Sequence, residues 1–228
     1  NYMHEAAEIC RCTMETAHSV IRAGIMERHA AAQIAAAQIE GHPEYGGVPP
    51  AIMPIIPAGT WAETGHLSFN PERSYQSGDT VLLELSGCRR RYHIPLYRTL
   101  YIGSPPRELE DLSSRLSEGL SKLVEVLTPG MTAQEAEETW RTLMSPHYPI
   151  APARIGYSFG LNYVPDWGEH TINLRPGDTT VLTPGMAIHL IACLRRDSWV
   201  FETSIPVYFT ARGCSTFLDI SKELLRVT

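Results

Sequence analysis

The sequence predicts a symmetric α+β domain in which a pair of helices followed by antiparallel strands occurs twice, the helices covering one face of a curved sheet. Three observations predict it. A helix–glycine–helix pattern around Gly24 recurs around Gly130, 106 positions later. A glycine-led apolar strand beginning at Gly78 recurs at Gly185, 107 positions later. Near-equal offsets for two separate landmarks mark an internal duplication. Finally, 228 residues suit one domain with a proper core, here divided into halves of about 1–103 and 104–228.

Taken in order, residues 4–22 place Ala6, Ile9, Met14, Ala17 and Val20 or Ile21 at helical spacing, and Gly24 ends that helix. An alanine-rich second helix over Glu27–Ile39 permits close packing. Residues 41–61 are dense in Gly and Pro and read as loop and edge strand. The strand after Gly78 puts Val81, Leu83 and Leu85 on one face and Leu82, Glu84 and Ser86 on the other. Ser104-Pro105-Pro106 opens a helix over Leu109–Leu127, which Pro129-Gly130 ends. Thr132 caps the next helix, Ala133–Met144, with Glu135 in a capping-box position. Strands are expected at Thr179–Leu182, Met186–Leu194, Trp199–Thr203 and Val207–Thr210, and a short helix at Leu218–Leu225.

Formal charge is −6, and no basic block occurs outside Arg89–Arg91, which argues against nucleic acid as a partner. No apolar run approaches the length of a membrane span, and no charged-then-apolar leader opens the chain. The five cysteines are odd in number and scattered, so no disulfide framework is expected and a reducing, cytoplasmic setting is. Cys10 and Cys12 lack a second Cys/His pair at ligand spacing and read as helix residues.

The informative oddity is Glu84, a carboxylate at the centre of an apolar strand. Burying it costs several kcal/mol unless it is paired or used. Two readings stand: a structural Glu–Arg pair with one of the arginines that follow, or an active-site carboxylate poised by its neighbours. With either, the pocket belongs where the strands of the two halves meet.

The stretches GHPEYGGVPPAIMPIIPAG, LELSGCRRRYHIPLYRTLYIG, RIGYSFGLNYVPDWGEHT and LRPGDTTVLTPGMAIH, with the weaker VFETSIPVYFT, resemble the pita-bread (aminopeptidase/creatinase) family, and within it the ectoine hydrolase branch. The resemblance covers nearly the whole chain and implies the duplicated pita-bread fold. It also implies that the separate N-terminal domain usual in the family is absent from this sequence, and that the protein forms a homodimer. The family's metallopeptidases hold two metal ions through two Asp, one His and two Glu. The matching positions here carry Glu84, Pro95, Tyr157, Ile191 and Ser204. A single carboxylate among them cannot retain a divalent ion, so no metal or other cofactor is expected.

The substrate the resemblance implies is a small molecule, ectoine or a related cyclic amidine with a carboxylate, hydrolysed at a C–N bond. Glu84 would then be the nucleophile. His66, in the family's catalytic-histidine stretch, would activate water. Tyr157 would donate its hydroxyl to the reacting group. His93 and His189 would orient Glu84 or bind substrate, or serve as structural hydrogen-bonding residues. Trp167 and Glu169 would supply a pocket wall and a contact to the cation, with Trp167 equally suited to the core. Arg98 would hold the Glu84 strand or meet the substrate carboxylate. Glu202 matches a family glutamate or forms a surface salt bridge. Departures from the family are GHLSF at 65–69, Ile205 after Ser204 and Ala151-Pro152-Ala153. Alternatives are an Xaa-Pro dipeptidase, on fold analogy alone, and a non-catalytic binding module.

Overall fold

A computed structural model describes residues 1–64, 67–146, 148, 153–196 and 199–228. Helices α1 (Tyr2–Val20) and α2 (Glu27–Glu40) lead through a long irregular segment into the hairpin β1 (Thr80–Arg89) and β2 (Tyr92–Ile102). The order then repeats. Helices α3 (Arg107–Val126) and α4 (Ala133–Met144) precede β3 (Gly156–Phe159), β4 (Gly168–Asn173) and the antiparallel pair β5 (Ala187–Arg196) and β6 (Trp199–Thr210). Short strands β7 (Gly213–Thr216) and β8 (Leu225–Val227) close the chain. The four landmark glycines share one conformation, with φ of 86° at Gly24, 93° at Gly78, 98° at Gly130 and 95° at Gly185. That left-handed backbone strains other residues, which is why glycine marks the same two turns in each half.

The strands form two sheets, β1-β2-β8 and β4-β3-β5-β6-β7. Helix α1 lies on the first: Ala6, Cys10, Met14 and Ala17 share a buried cluster with Leu83, Leu85, Ile94 and Leu96. Its approach is close at Gly87, where a Cβ would overlap the α1 backbone at Ala6 O and Cys10 N. Helices α3 and α4 cover the second sheet, with Leu116, Leu120 and Trp140 packed against Ile188, Leu190, Phe201 and Val207. The capping box at Thr132 and Glu135 forms as expected.

The two sheets are stitched along β2 and β6 by side chains. Thr99 Oγ1 donates to Glu202 O at 2.8 Å and accepts from Glu202 N at 2.7 Å. Ser204 Oγ accepts the Tyr97 amide at 2.7 Å. Arg98 donates to the carbonyls of Tyr97, Ser204 and Ser221 at 2.6, 2.8 and 2.6 Å. Its burial pulls the guanidinium pKa down to about 10.

Three expected elements differ. Thr179–Leu182 is not a strand; it makes a single bridge, Thr132 to Val181. The two strands expected over Trp199–Thr210 are one, because Ser204 and Pro206 continue the pairing with β5 unbroken. Leu218–Leu225 is not a helix. The carbonyls of Ile220, Ser221 and Lys222 are taken by Arg98, Ser117 and Thr203, which holds the backbone extended until β8 pairs parallel with β2. Residues 41–61 are irregular as expected, yet pair with β1: Glu84 N donates to Ile55 O at 2.9 Å, and Leu82 N to Pro57 O at 3.1 Å.

Candidate active site

The register of the strands gathers one constellation. Glu84 on β1 faces Tyr97 on β2, Tyr157 on β3 faces His189 on β5, and Ser204 sits across from Ile191 on the β5–β6 pair. A cavity of about 200 Å³ opens above them. Glu84 and Tyr157 line it with Ile52 from the irregular segment, Arg154, and Pro165, Asp166, Trp167, Gly168, His170 and Asn173. The volume lies below the roughly 300–1,000 Å³ of typical ligand sites, so the pocket suits one small ring better than a peptide.

Glu84 is 3% exposed. Burial pushes its carboxyl up to about 8, the Tyr97 hydroxyl lowers it, and the charges of Glu202 and Asp166 add to the rise. A largely uncharged carboxyl is therefore its form near neutral pH. The Tyr97 hydroxyl itself is held well above the usual phenol range by burial and by Glu84.

Behind Glu84 runs a chain of polar groups. The Tyr97 amide donates to Ser204 Oγ, and that oxygen lies 2.7 Å from His189 Nε2. His189 Nδ1 lies 3.1 Å from the Tyr157 hydroxyl, which also accepts from Trp167 Nε1 at 2.8 Å. His189 is fully buried, and desolvation followed by the charge of Arg98 lowers its pKa to about 3, so the ring is neutral. One ring nitrogen must then donate and the other accept. With the proton on Nδ1, every hydrogen in the chain has an acceptor, and the Tyr157 hydrogen is left to point at the pocket. With the proton on Nε2, the Tyr157 hydrogen is spent on His189 and the Ser204 hydrogen loses that acceptor.

Of the residues the sequence singled out, Glu84, Tyr157 and Trp167 line the pocket, and His189 supports Tyr157 from behind. His66 lies outside the described residues. The others sit elsewhere. Arg98 alternates away from Tyr97, lines a separate cavity behind β6, and is committed to carbonyls. Its place is that of a clamp between the sheets rather than a pocket residue. His93 is buried and accepts the Ala51 amide at Nε2 (3.0 Å), pinning the 41–61 segment; burial lowers its pKa to about 4. Glu169 faces a different, larger cavity, packed against Gly160. Glu202 is engaged by Arg195 at 3.2 Å and by the Cys193 thiol at 3.0 Å, and reaches Glu84 only through its charge. Glu84 is bonded by Tyr97, while Arg89 pairs with Glu5 at 2.6 Å and Arg91 donates to Pro49 and Asn162 carbonyls. Among the pocket residues not singled out are three with charged or imidazole side chains, Arg154, Asp166 and His170. All lie inside the RIGYSFGLNYVPDWGEHT stretch, whose length hides which positions face inward.

The dinuclear metal site of the family does not fit this donor set. Pro95 and Ile191 offer no side-chain donor, and Tyr157 and Ser204 offer neutral hydroxyls already hydrogen-bonded within the chain. Among the described residues, no three His, Cys, Asp or Glu side chains converge as a metal-binding group. None of the described helices is long and apolar enough to cross a membrane.

Comparison with known proteins bears on the family and the fold. Residues 1–212 match the model of metallopeptidase family M24. An uncharacterized hydrolase/peptidase of Sinorhizobium fredii is 38% identical over 98% of this chain and 57% of its own length. The ectoine hydrolase of Halomonas elongata is 35% identical, again over 98% and 57%. The chain thus spans somewhat more than half of the curated relatives it matches. Among solved structures, the prolidase of Pyrococcus horikoshii superposes with a TM-score of 0.84 at 24% identity, over 98% of this chain and 62% of that one. The X-Pro aminopeptidase of Thermotoga maritima gives 0.85 at 17%, over 99% and 62%. At those identities the structural matches speak for the pita-bread fold alone.

Proposed function

This chain belongs to metallopeptidase family M24, a family of hydrolases and peptidases, and within it we propose that the chain performs metal-independent hydrolysis of a C–N bond in a small cyclic amidine, with ectoine as the first candidate. One observation carries this reading: the pocket keeps a single buried carboxyl, Glu84, where the family's metal ligands would otherwise gather. The likeness to the Halomonas elongata ectoine hydrolase supports the choice of substrate.

A protonated amidine brings a cation to Glu84 at the floor of the pocket. Its charge beside Glu84 favours the carboxylate, which attacks the amidine carbon; the C–O bond forms as the C=N π pair moves to nitrogen. One C–N bond then breaks, and the leaving amine takes a proton from the Tyr157 hydroxyl. Water adds to the carbon of the resulting protonated acyl-imidate, and Glu84 departs as carboxylate. Of the two protons released, one restores the Tyr157 hydroxyl and the other leaves with the amine as ammonium, so an amide and an ammonium group remain. His66 is the candidate for activating that water, on the strength of its motif alone.

The test is to strip the protein with chelator and follow conversion of ectoine to N-acetyl-diaminobutyrate. Equal rates before and after stripping are expected. Activity that returns only with cobalt or manganese would overturn the reading. A second reading, Xaa-Pro dipeptidase, draws on the 25%-identical Xaa-Pro dipeptidase of Pyrococcus horikoshii. It requires stoichiometric transition metal in the purified protein, which elemental analysis measures.

A further inference from the structure

We propose that Arg154 is the specificity residue of the pocket: it anchors a substrate carboxylate at the mouth while Glu84 meets the cationic end at the floor. The inference rests on the amidine reading above and narrows it to amidines that carry an anionic group.

Arg154 stands just before β3 and is exposed at the pocket rim. Two pocket residues hold it in place. Its guanidinium lies over the Tyr157 ring, 5.0 Å from the centroid, and Nη1 donates to Asn173 Oδ1 at 3.3 Å. Neither partner is charged. Among the described residues Arg154 makes no ion pair; of the two carboxyl groups that share its pocket, Glu84 is bonded by Tyr97 and Asp166 is committed elsewhere. Asp166 Oδ2 pairs with His170 Nε2 at 2.8 Å and Oδ1 accepts the Gly168 amide at 2.9 Å. A guanidinium that is positioned but not neutralised, beside a cavity large enough for one small molecule, is a carboxylate receptor awaiting its ligand.

The other arginine considered for this task, Arg98, is saturated by backbone carbonyls on the far side of β2. Arg154 also acts on the same groups as the chemistry: its charge favours the ionised form of Glu84 and of Tyr157. A zwitterion with its anion at the rim and its cation at the floor thus matches the pocket charge for charge. A ring lacking the carboxylate leaves the guanidinium without a counter-ion.

The test compares ectoine with 2-methyl-tetrahydropyrimidine, the same ring without its carboxylate, on the parent and on Arg154→Ala and Arg154→Lys. The parent is expected to favour ectoine about 10–100-fold in kcat/KM, mainly through KM. Arg154→Ala, at a near-parental melting temperature, should treat the two compounds alike, and Arg154→Lys should recover part of the preference. An active parent that does not distinguish the compounds, or an Arg154→Ala variant that keeps the parental preference, overturns the role of Arg154 while leaving amidine hydrolysis standing. A parent that neither turns over nor binds either compound by calorimetry overturns both.

Discussion

Tyr157 and His189 form a cross-strand pair of β3 and β5 in which the hydroxyl sits 3.1 Å from Nδ1 and the rings stand nearly perpendicular, at 87°. Because Ser204 Oγ occupies the other ring nitrogen and is itself fed by the Tyr97 amide, the imidazole is expected to carry its proton on Nδ1. That frees the Tyr157 hydrogen for the pocket. Long-range ¹H–¹⁵N spectra of histidine-labelled protein should show His189 neutral and Nδ1-protonated from pH 5 upward. An Nε2-protonated ring would remove Tyr157 as a proton donor. Tyr157→Phe should lower kcat by about 10²-fold or more, and Ser204→Ala should both shift the tautomer and lower kcat.

Gly87 offers a separate check, on the fold. Its missing side chain lets α1 lie directly on β1, with the helix backbone where a Cβ would be. Backbone cannot swing aside as a side-chain tip does, so Gly87→Ala must push the helix off the sheet. Denaturant unfolding is expected to show a loss of about 1–3 kcal/mol or more. A change near zero would mean that α1 is not held at this distance in solution.

The four helices and the strands β1, β5 and β6 were legible in the sequence because each carries its own local signal, whereas β2, β3 and β4 were not read as strands. The glycines at 24, 78, 130 and 185 mark backbone that other residues strain to adopt, and Thr132 with Glu135 spells out a cap. What failed was set by tertiary partners. Leu218–Leu225 has helical residues but gives its carbonyls to Arg98, Ser117 and Thr203, residues distant in sequence. The site divides the same way. Glu84 was visible as a carboxylate in an apolar strand. The turn of Arg98 away from the pocket follows from its register opposite Leu83, one position off the Glu84–Tyr97 pair, and no motif announces register. Arg154 escaped notice because nothing in sequence tells a surface arginine from one laid over a tyrosine at a pocket rim.

Glu84→Gln separates catalysis from folding. Gln preserves shape but cannot attack an amidine carbon, so turnover should vanish. The stability difference should depend on pH in a direction that burial dictates. Glu84 is raised from 4.5 to about 8 in the folded state, so the fold favours its protonated form. That contribution is fully present below the unfolded value and is lost as pH rises through the folded one, at up to about 1.4 kcal/mol per pH unit. Glutamine does not titrate. Relative to the parent, the variant should therefore gain stability between about pH 4.5 and pH 8 and hold that gain above. A variant that instead melts earlier at pH 8 than at pH 5, relative to the parent, would show Glu84 to be the ionised member of a structural pair.

The pH dependence of turnover identifies the group that must lose its proton before reaction. For the free protein, kcat/KM follows the ionisation of the essential base. If that base is Glu84, kcat/KM for a permanently cationic amidine should climb about tenfold per pH unit and level off near pH 8. The corresponding limb in kcat should lie at lower pH, because a bound cation beside the carboxyl favours its ionised form. A histidine with an ordinary pKa would place the limb near 6.5 instead. His189 and His93 cannot supply such a limb, since burial lowers them to about 3 and about 4. A limb near 6.5 in kcat/KM would therefore point to a group other than Glu84, His189 and His93. It would remove Glu84 as the group whose ionisation limits reaction. A limb near 8 that moves down on substrate binding is the expected result, and parallel titration of Glu84 by ¹³C spectroscopy in the empty protein should give the same value.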